Sequence, residues 1–88
     1  MIPERTIAGI LITDFAAQAM RVQEVLTRHG CLIKTRLGLH ETSPDHCSPY
    51  GLVLLELVGD DAQRERFFDA LAQVDGIEVK RMVFGGGR

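Results

Sequence analysis

The sequence predicts an α+β fold, a sandwich of order β-α-β-β-α-β in which a four-stranded antiparallel sheet carries two helices on one face. Three observations predict it. An apolar segment, an amphipathic segment and a second apolar segment follow one another, and the series repeats within 88 residues. Each amphipathic segment opens on an aspartate able to cap a helix and is followed by a glycine, Asp14 and Gly30 in the first half, Asp60 and Gly76 in the second. The segments 6–13 and 50–58 are apolar at both parities, as central strands covered on both sides are. Right-handed crossovers then place both helices on the same side of the sheet. One domain is expected over residues 1–84, with residues 85–88, Gly-Gly-Gly-Arg, as a flexible tail that has nothing with which to bury itself.

Residues 6–13, Thr-Ile-Ala-Gly-Ile-Leu-Ile-Thr, form the first strand. Asp14 caps a helix over residues 15–29, because its carboxylate accepts from free amides of the first turn. Ala19, Val22, Val25 and Leu26 recur there at helical spacing, and Gly30 is expected to stop the helix in a left-handed conformation. Residues 31–39 alternate: Cys31, Ile33, Thr35, Leu37 and Leu39 share one face, and Lys34, Arg36, Gly38 and His40 the other. This is a strand with one wetter side, near an edge. Residues 41–49, with Pro44 and Pro49, read as a polar loop.

Residues 50–58 make the third strand, with Glu56 its only charge. Gly59 ends it, and Asp60 with Gln63 forms a capping box. The helix over residues 61–74 buries Ala62, Phe67, Phe68 and Leu71, while Arg64, Glu65, Arg66 and Asp69 stay solvated. Asp75-Gly76 turns the chain into a last strand over residues 77–84. Apolar residues at both parities leave the phase of the central strands open. In the phase adopted, Leu52, Leu54, Val58, Met82 and Phe84 line the sheet face that has no helix over it. An apolar surface of that kind on so small a domain predicts an interface.

Composition narrows the function classes. At this length folding removes only roughly 60–65 % of the unfolded chain's surface from water, so self-association as a dimer or tetramer would supplement the core. A hydrophobic fraction of 45 % with 25 % charged residues belongs to a globular chain. Ten bases are dispersed among twelve acids, for a net charge of −2, which argues against direct nucleic-acid binding; Lys34, Arg36, Lys80 and Arg81 are the candidates for a local basic patch. No apolar run approaches the ~18 residues of a membrane span. The opening Met-Ile-Pro-Glu-Arg is unlike a signal peptide, so a cytoplasmic protein is expected. Cys31 and Cys47 do not make a disulfide framework. Cys31 is expected to pack as a small hydrophobe beneath the first helix.

His40, His46 and Cys47 fall within eight positions, and imidazole with thiolate suits a transition metal such as nickel or zinc. A fourth ligand, His29 of a neighbouring subunit, would close the site. The competing reading is a polar surface loop, since adjacent side chains on extended backbone point apart. Gly9 and Gly38 could let a small ligand approach strand backbone, or mark a bulge or a tight helix contact. Thr13 and Asp14, at the junction of the first strand and first helix, sit beside helix amides able to hold an anion, provided Asp14 turns away to cap.

Taken together, Ile7-Ala8-Gly9-Ile10-Leu11-Ile12, Arg36-Leu37-Gly38, residues 52–59 and Asp75-Gly76-Ile77-Glu78-Val79-Lys80 resemble the ferredoxin-like ACT and nickel-responsive-regulator C-terminal group. Within it the chain is similar to small stand-alone iron-only hydrogenase system regulators. The resemblance implies regulation or sensing by an oligomer, and ligand binding at the junction that carries Thr13 and Asp14. The nickel-responsive proteins place His-X-His on the second strand and a Cys at the start of the third. Here Gly38-Leu39-His40 keeps only the second His, and Cys47 precedes Tyr50 by three residues, within an insertion after His40.

An enzyme is not expected. A small hydrolase of this fold, such as acylphosphatase, needs an arginine-bearing phosphate loop after the first strand, where Ile12-Thr13-Asp14-Phe15 supplies an acid. RNA recognition on the open sheet would need stacking aromatics, and the third strand offers mainly leucines. Two functions remain: an oligomeric regulatory module acting on DNA only through a regulatory partner protein, or a ligand-free assembly partner that uses the apolar face.

Overall fold

A computed structural model of the chain describes residues 2–42 and 47–86, with the side chains of Phe15, Ala16 and residues 39–49 left out of the description. The element order is β1 (Arg5–Ile12), α1 (Phe15–Arg28), a 3-10 turn (Gly30–Leu32), β2 (Ile33–Thr42), β3 (Cys47–Leu57), α2 (Asp61–Ala72) and β4 (Ile77–Phe84). The four strands form one antiparallel sheet in the order β2-β3-β1-β4, the ferredoxin-like arrangement.

Burial alternates along the two central strands. Thr6, Ala8, Ile10 and Ile12 of β1 are buried, as are Val53, Leu55 and Leu57 of β3, and they pair directly across the ladder, so they share one face. The helices cover that face through Val22 and Leu26 of α1 and Phe67, Phe68 and Leu71 of α2. Phe67, Ile10, Leu55, Leu71 and Val22 are the largest fully buried side chains. The intervening residues, among them Ile7, Leu11, Leu52 and Leu54, face the other way and are only half buried.

The caps follow local chemistry. Asp14 Oδ1 accepts from the Ala17 amide at 3.4 Å. At α2 the box is complete: Asp60 Oδ1 accepts from Gln63 N at 2.7 Å, and Gln63 Oε1 accepts from Asp60 N at 2.8 Å. Gly59 and Gly76 both take positive φ, 93° and 80°. A Cβ on Gly76 would also sit 2.0 Å from Gln18 Nε2, and one on Gly59 2.6 Å from Leu32 Cδ2, so both turns need glycine.

The structure corrects several expectations. Gly30 is not left-handed; it opens the 3-10 turn, in which Leu32 N donates to His29 O. That turn exposes Cys31 and buries Leu32 in its place. A register shift at Lys34 then breaks the alternation: Ile33 pairs with buried Leu57, while Thr35 and Leu37 pair with Glu56 and Leu54, which face the opposite side. Ala62 is exposed. Arg64, expected to be solvated, is only 15 % exposed, because it bonds the Gly59 carbonyl and the carboxylates of Asp61 and Glu4.

The expected loop is largely strand. β2 runs to Thr42 and β3 begins at Cys47, with Thr42 paired to Cys47. Between that pair and His40↔Gly51, β2 contributes one residue and β3 three, a mismatch that contains Pro49, which has no amide to give the ladder. β1 pairs only with residues 51–57 of β3, so beyond Gly51 the hairpin continues as a two-stranded ribbon. Gly86 N donates to Ile2 O at 3.2 Å, which ties the start of the tail to the N-terminal segment.

Candidate functional site

The face without helices is the principal candidate. Ladder pairing puts Arg5, Ile7, Gly9 and Leu11 of β1 opposite Phe84, Met82, Lys80 and Glu78 of β4, and Leu52, Leu54 and Glu56 of β3 lie on the same side. Met82 and Phe84 are 56 % and 54 % exposed, and Leu37 of β2 extends the surface at 53 %. Four of the five expected interface residues, Leu52, Leu54, Met82 and Phe84, therefore lie together. Val58 lies one residue past the strand end, where its amide donates to Leu32 O at 2.7 Å. Ile7, Leu11 and Leu37 belong to the same surface. Sequence reasoning passed over them, although their parity relative to Ile10, Ile12 and Leu54 was the signal.

One ion pair is set into this surface. Arg5 Nε and Nη2 donate to the two carboxylate oxygens of Glu56 at 2.6 and 2.8 Å, a bidentate geometry. Glu56 is 12 % exposed and Arg5 58 %. The hydrogen bonds from Arg5 hold the Glu56 carboxyl below its ordinary value; burial opposes this, and the charges of Arg5 and Lys34 reinforce it. The same hydrogen bonds, with the Glu56 charge, raise the Arg5 value. Beside the pair, Gly9, Leu11, Leu52, Glu78 and Lys80 outline a shallow depression of ≈ 210 Å³. A Cβ on Gly9, one of its lining residues, would meet Leu54 Cδ2 at an ordinary 3.5 Å.

The residues named as ligand candidates do not converge. Gly38 pairs with Val53, whose side chain belongs to the helix-covered side, and a Cβ at Gly38 would meet nothing within 4 Å; it marks no tight helix contact. Thr13 and Asp14 are engaged internally: Gln18 Oε1 accepts from both amides, at 3.2 and 3.1 Å, and Thr13 Oγ1 donates to the Gly76 carbonyl. Gln18 Nε2 in turn donates to Asp75 O at 3.0 Å, which locks the junction to the α2–β4 turn. The basic patch is not formed, because β2 and β4, which carry Lys34 with Arg36 and Lys80 with Arg81, are opposite edges of the sheet. Arg36 bonds Gln23, Lys80 faces Glu78, and Arg81 pairs with Glu65 while stacking 3.7 Å above the Phe68 ring.

For the metal candidates, His46 and the side chains of His40 and Cys47 lie outside the described residues. The backbone places His40 opposite Gly51 on β2, the strand expected for it, and Cys47 opposite Thr42 on β3 rather than in the expected loop. His29 caps the far end of α1, its ring edge-on to Phe67 at 5.5 Å between centroids. The 10 residues of β2 separate that end from the hairpin tip, a span of ~30 Å at strand rise. His29 of the same copy therefore cannot complete the set. Cys31 and Cys47 are held apart in the same way, far beyond the ~7 Å Cα limit of a disulfide.

No protein-family model matches the chain, and no curated protein matches it significantly. Solved structures do. An uncharacterized protein from Thermotoga maritima superposes with a TM-score of 0.75 at 20 % identity, over 94 % of this chain and 100 % of that one. A nitrogen regulatory PII-like protein from Thiomonas intermedia gives 0.59 at 12 % identity, over 98 % and 95 % of the two chains. LarC2, the C-terminal domain of a cyclometallase involved in the synthesis of the NPN cofactor of lactate racemase, gives 0.55 at 8 % identity, over 94 % of this chain and 57 % of that one. At these identities the likeness is one of fold. Among the described residues no helix is long and apolar enough to cross a membrane.

Proposed function

We propose that this chain is a stand-alone, ACT-like regulatory module that self-associates through its uncovered sheet face, binds a small ligand or a transition metal at the hairpin or a subunit junction, and acts as an iron-only hydrogenase system regulator in the cytoplasm. The observation that carries this reading is the apolar surface of Ile7, Leu37, Leu52, Leu54, Met82 and Phe84 on a domain of 88 residues. Monomers seldom leave so continuous an apolar face in water. The hairpin ribbon supports it as well, since two strands alone are marginally stable in water and gain from a neighbour. The PII-like regulator shares the fold and supplies the precedent for a regulatory role. The chain is read as non-enzymatic.

A second reading is favoured by a specific observation. Gly9, Gly38 and the Thr13–Asp14 pair are distributed over three places, two of them on different sides of the sheet, which suits an assembly partner without a ligand. Light scattering tests the shared premise: a dimer or tetramer is expected, and Leu52→Lys with Leu54→Lys should reduce it to monomers. A wild-type monomer at high concentration would overturn both readings. Elemental analysis of untagged protein then separates them. Stoichiometric nickel or zinc lost in His40→Ala and Cys47→Ala supports sensing, and repeated metal-free preparations with no ligand-induced thermal shift support assembly.

A further inference from the structure

At the end of the helical layer remote from the hairpin tip, α1, the 3-10 turn and α2 surround a concavity of ≈ 190 Å³ lined by Arg28, His29, Cys31, Leu32, Gln63 and Arg66. Its described lining contains two guanidiniums, an imidazole, an amide and a thiol, and no carboxylate. Among the described residues, Arg28 and Arg66, like Arg21 and Arg36, hold no carboxylate. Arg5, Arg64 and Arg81 each have one within bonding distance.

Two guanidiniums without a carboxylate between them thus line one concavity in a chain where acids outnumber bases by twelve to ten. Arg28 has a local reason for its place, since a cation in the last turn of a helix complements the dipole there. Arg66, exposed in the middle of α2, lies away from either end of the helix dipole. The remaining groups are oriented by bonds that leave donors available. Gln63 Oε1 is occupied by the Asp60 amide, so Gln63 offers the concavity its NH₂. The edge contact with Phe67 fixes the His29 ring beside it.

We propose that this concavity is an anion site, taking a phosphate-class oxyanion between Arg28 and Arg66 with Gln63 and His29 as further donors. Guanidinium forks match the oxygen spacing of phosphate, and two of them over a small concavity raise the local anion concentration. The site lies on the helix side of the sheet. It therefore stands or falls independently of self-association through the open face.

Cys31, in the wall of the concavity, provides a reporter. In a Cys47→Ser background its thiolate can displace one arylthiolate from an aromatic disulfide: the reagent's S–S bond breaks, a mixed disulfide forms, and the displaced thiolate is counted by absorbance. A dianionic reagent should outpace a neutral dipyridyl disulfide by on the order of 10-fold more than it does in Arg28→Gln/Arg66→Gln. Inorganic phosphate, titrated at constant ionic strength with chloride, should suppress that preference and shift the NMR signals of Arg28, Arg66 and the Gln63 NH₂ of the wild-type chain saturably. Arg21→Gln, which removes a cation from α1 outside the concavity, should leave the preference in place; unchanged melting curves confirm that each variant is folded. An equal reagent ratio in wild type and double variant, or phosphate shifts that never saturate, would overturn the proposal.

Discussion

The two faces of the sheet are built from alternate residues of the same strands, yet they are completed differently. On the covered face Ala8, Ile10, Val53 and Leu55 are sealed beneath Val22, Phe67 and Leu71, and each is at most 7 % exposed. On the open face Ile7, Leu11, Leu52 and Leu54 are scarcely less apolar, but they end in a shallow depression and a ring of exposed side chains. The open face also contains the Arg5–Glu56 pair. Strand pattern thus records that both sides are apolar, and only the helices show which side the chain covers by itself.

The sharpest way to test the contrast is to remove a covered side chain. Phe67→Ala should lower stability by about 3–5 kcal/mol in urea titration, because the cavity lies under both helices and cannot collapse. It should leave the mass of the folded particle unchanged. Leu54→Ala is the matching change on the open side and should behave differently with concentration. Where the protein is assembled its cost should approach the ~2 kcal/mol at the lower end of buried leucine truncations, and on dilution to monomer it should shrink. A cost independent of concentration would break the comparison.

Asp60→Ala touches neither face and calibrates the scale: loss of the cap should cost about 1 kcal/mol. The smallest effect concerns Glu56. Its carboxyl is held low in the folded state by Arg5, so its stabilising contribution is complete above the ordinary carboxylate range and disappears as pH falls through the lowered folded value. Glu56→Gln should therefore flatten the acid limb of stability against pH, lowering stability at neutral and alkaline pH and converging on the wild-type value at the acid end, measured by urea midpoints from acid to neutral pH.

Much of the fold was legible because its signals are local. Asp14, Asp60 with Gln63, Gly59 and Gly76 act within a turn of themselves, and each does what its chemistry predicts. Parity grouped Leu52 with Leu54 and Met82 with Phe84, and the ladders through β1 join the two groups on one side. The errors arose where a distant segment decided the outcome. The register shifts at Lys34 where β2 meets Leu57 and Glu56 of β3, and the 3-10 turn before it points Cys31 outward and Leu32 inward. Prolines suggested a loop over residues 41–49, but a two-stranded hairpin can pass a proline through an irregular register, and it does so at Pro49.

For the candidate sites the division was similar. The apolar face could be read from alternation, whereas Arg5 and Glu56 are 51 residues apart and nothing local announces their pairing. The concavity of Arg28 and Arg66 was invisible for the same reason, since it exists only where α1 packs beside α2.

By itself the sequence determined the order of elements, their caps and turns, and the apolar character of both sheet faces, because these depend on interactions spanning a few residues or on simple period. The tertiary structure decided which alternate residues the helices cover, how β2 is registered, and which charges meet. Those outcomes depend on separations along the chain that no local pattern encodes, and they emerge only when packing brings the segments into contact.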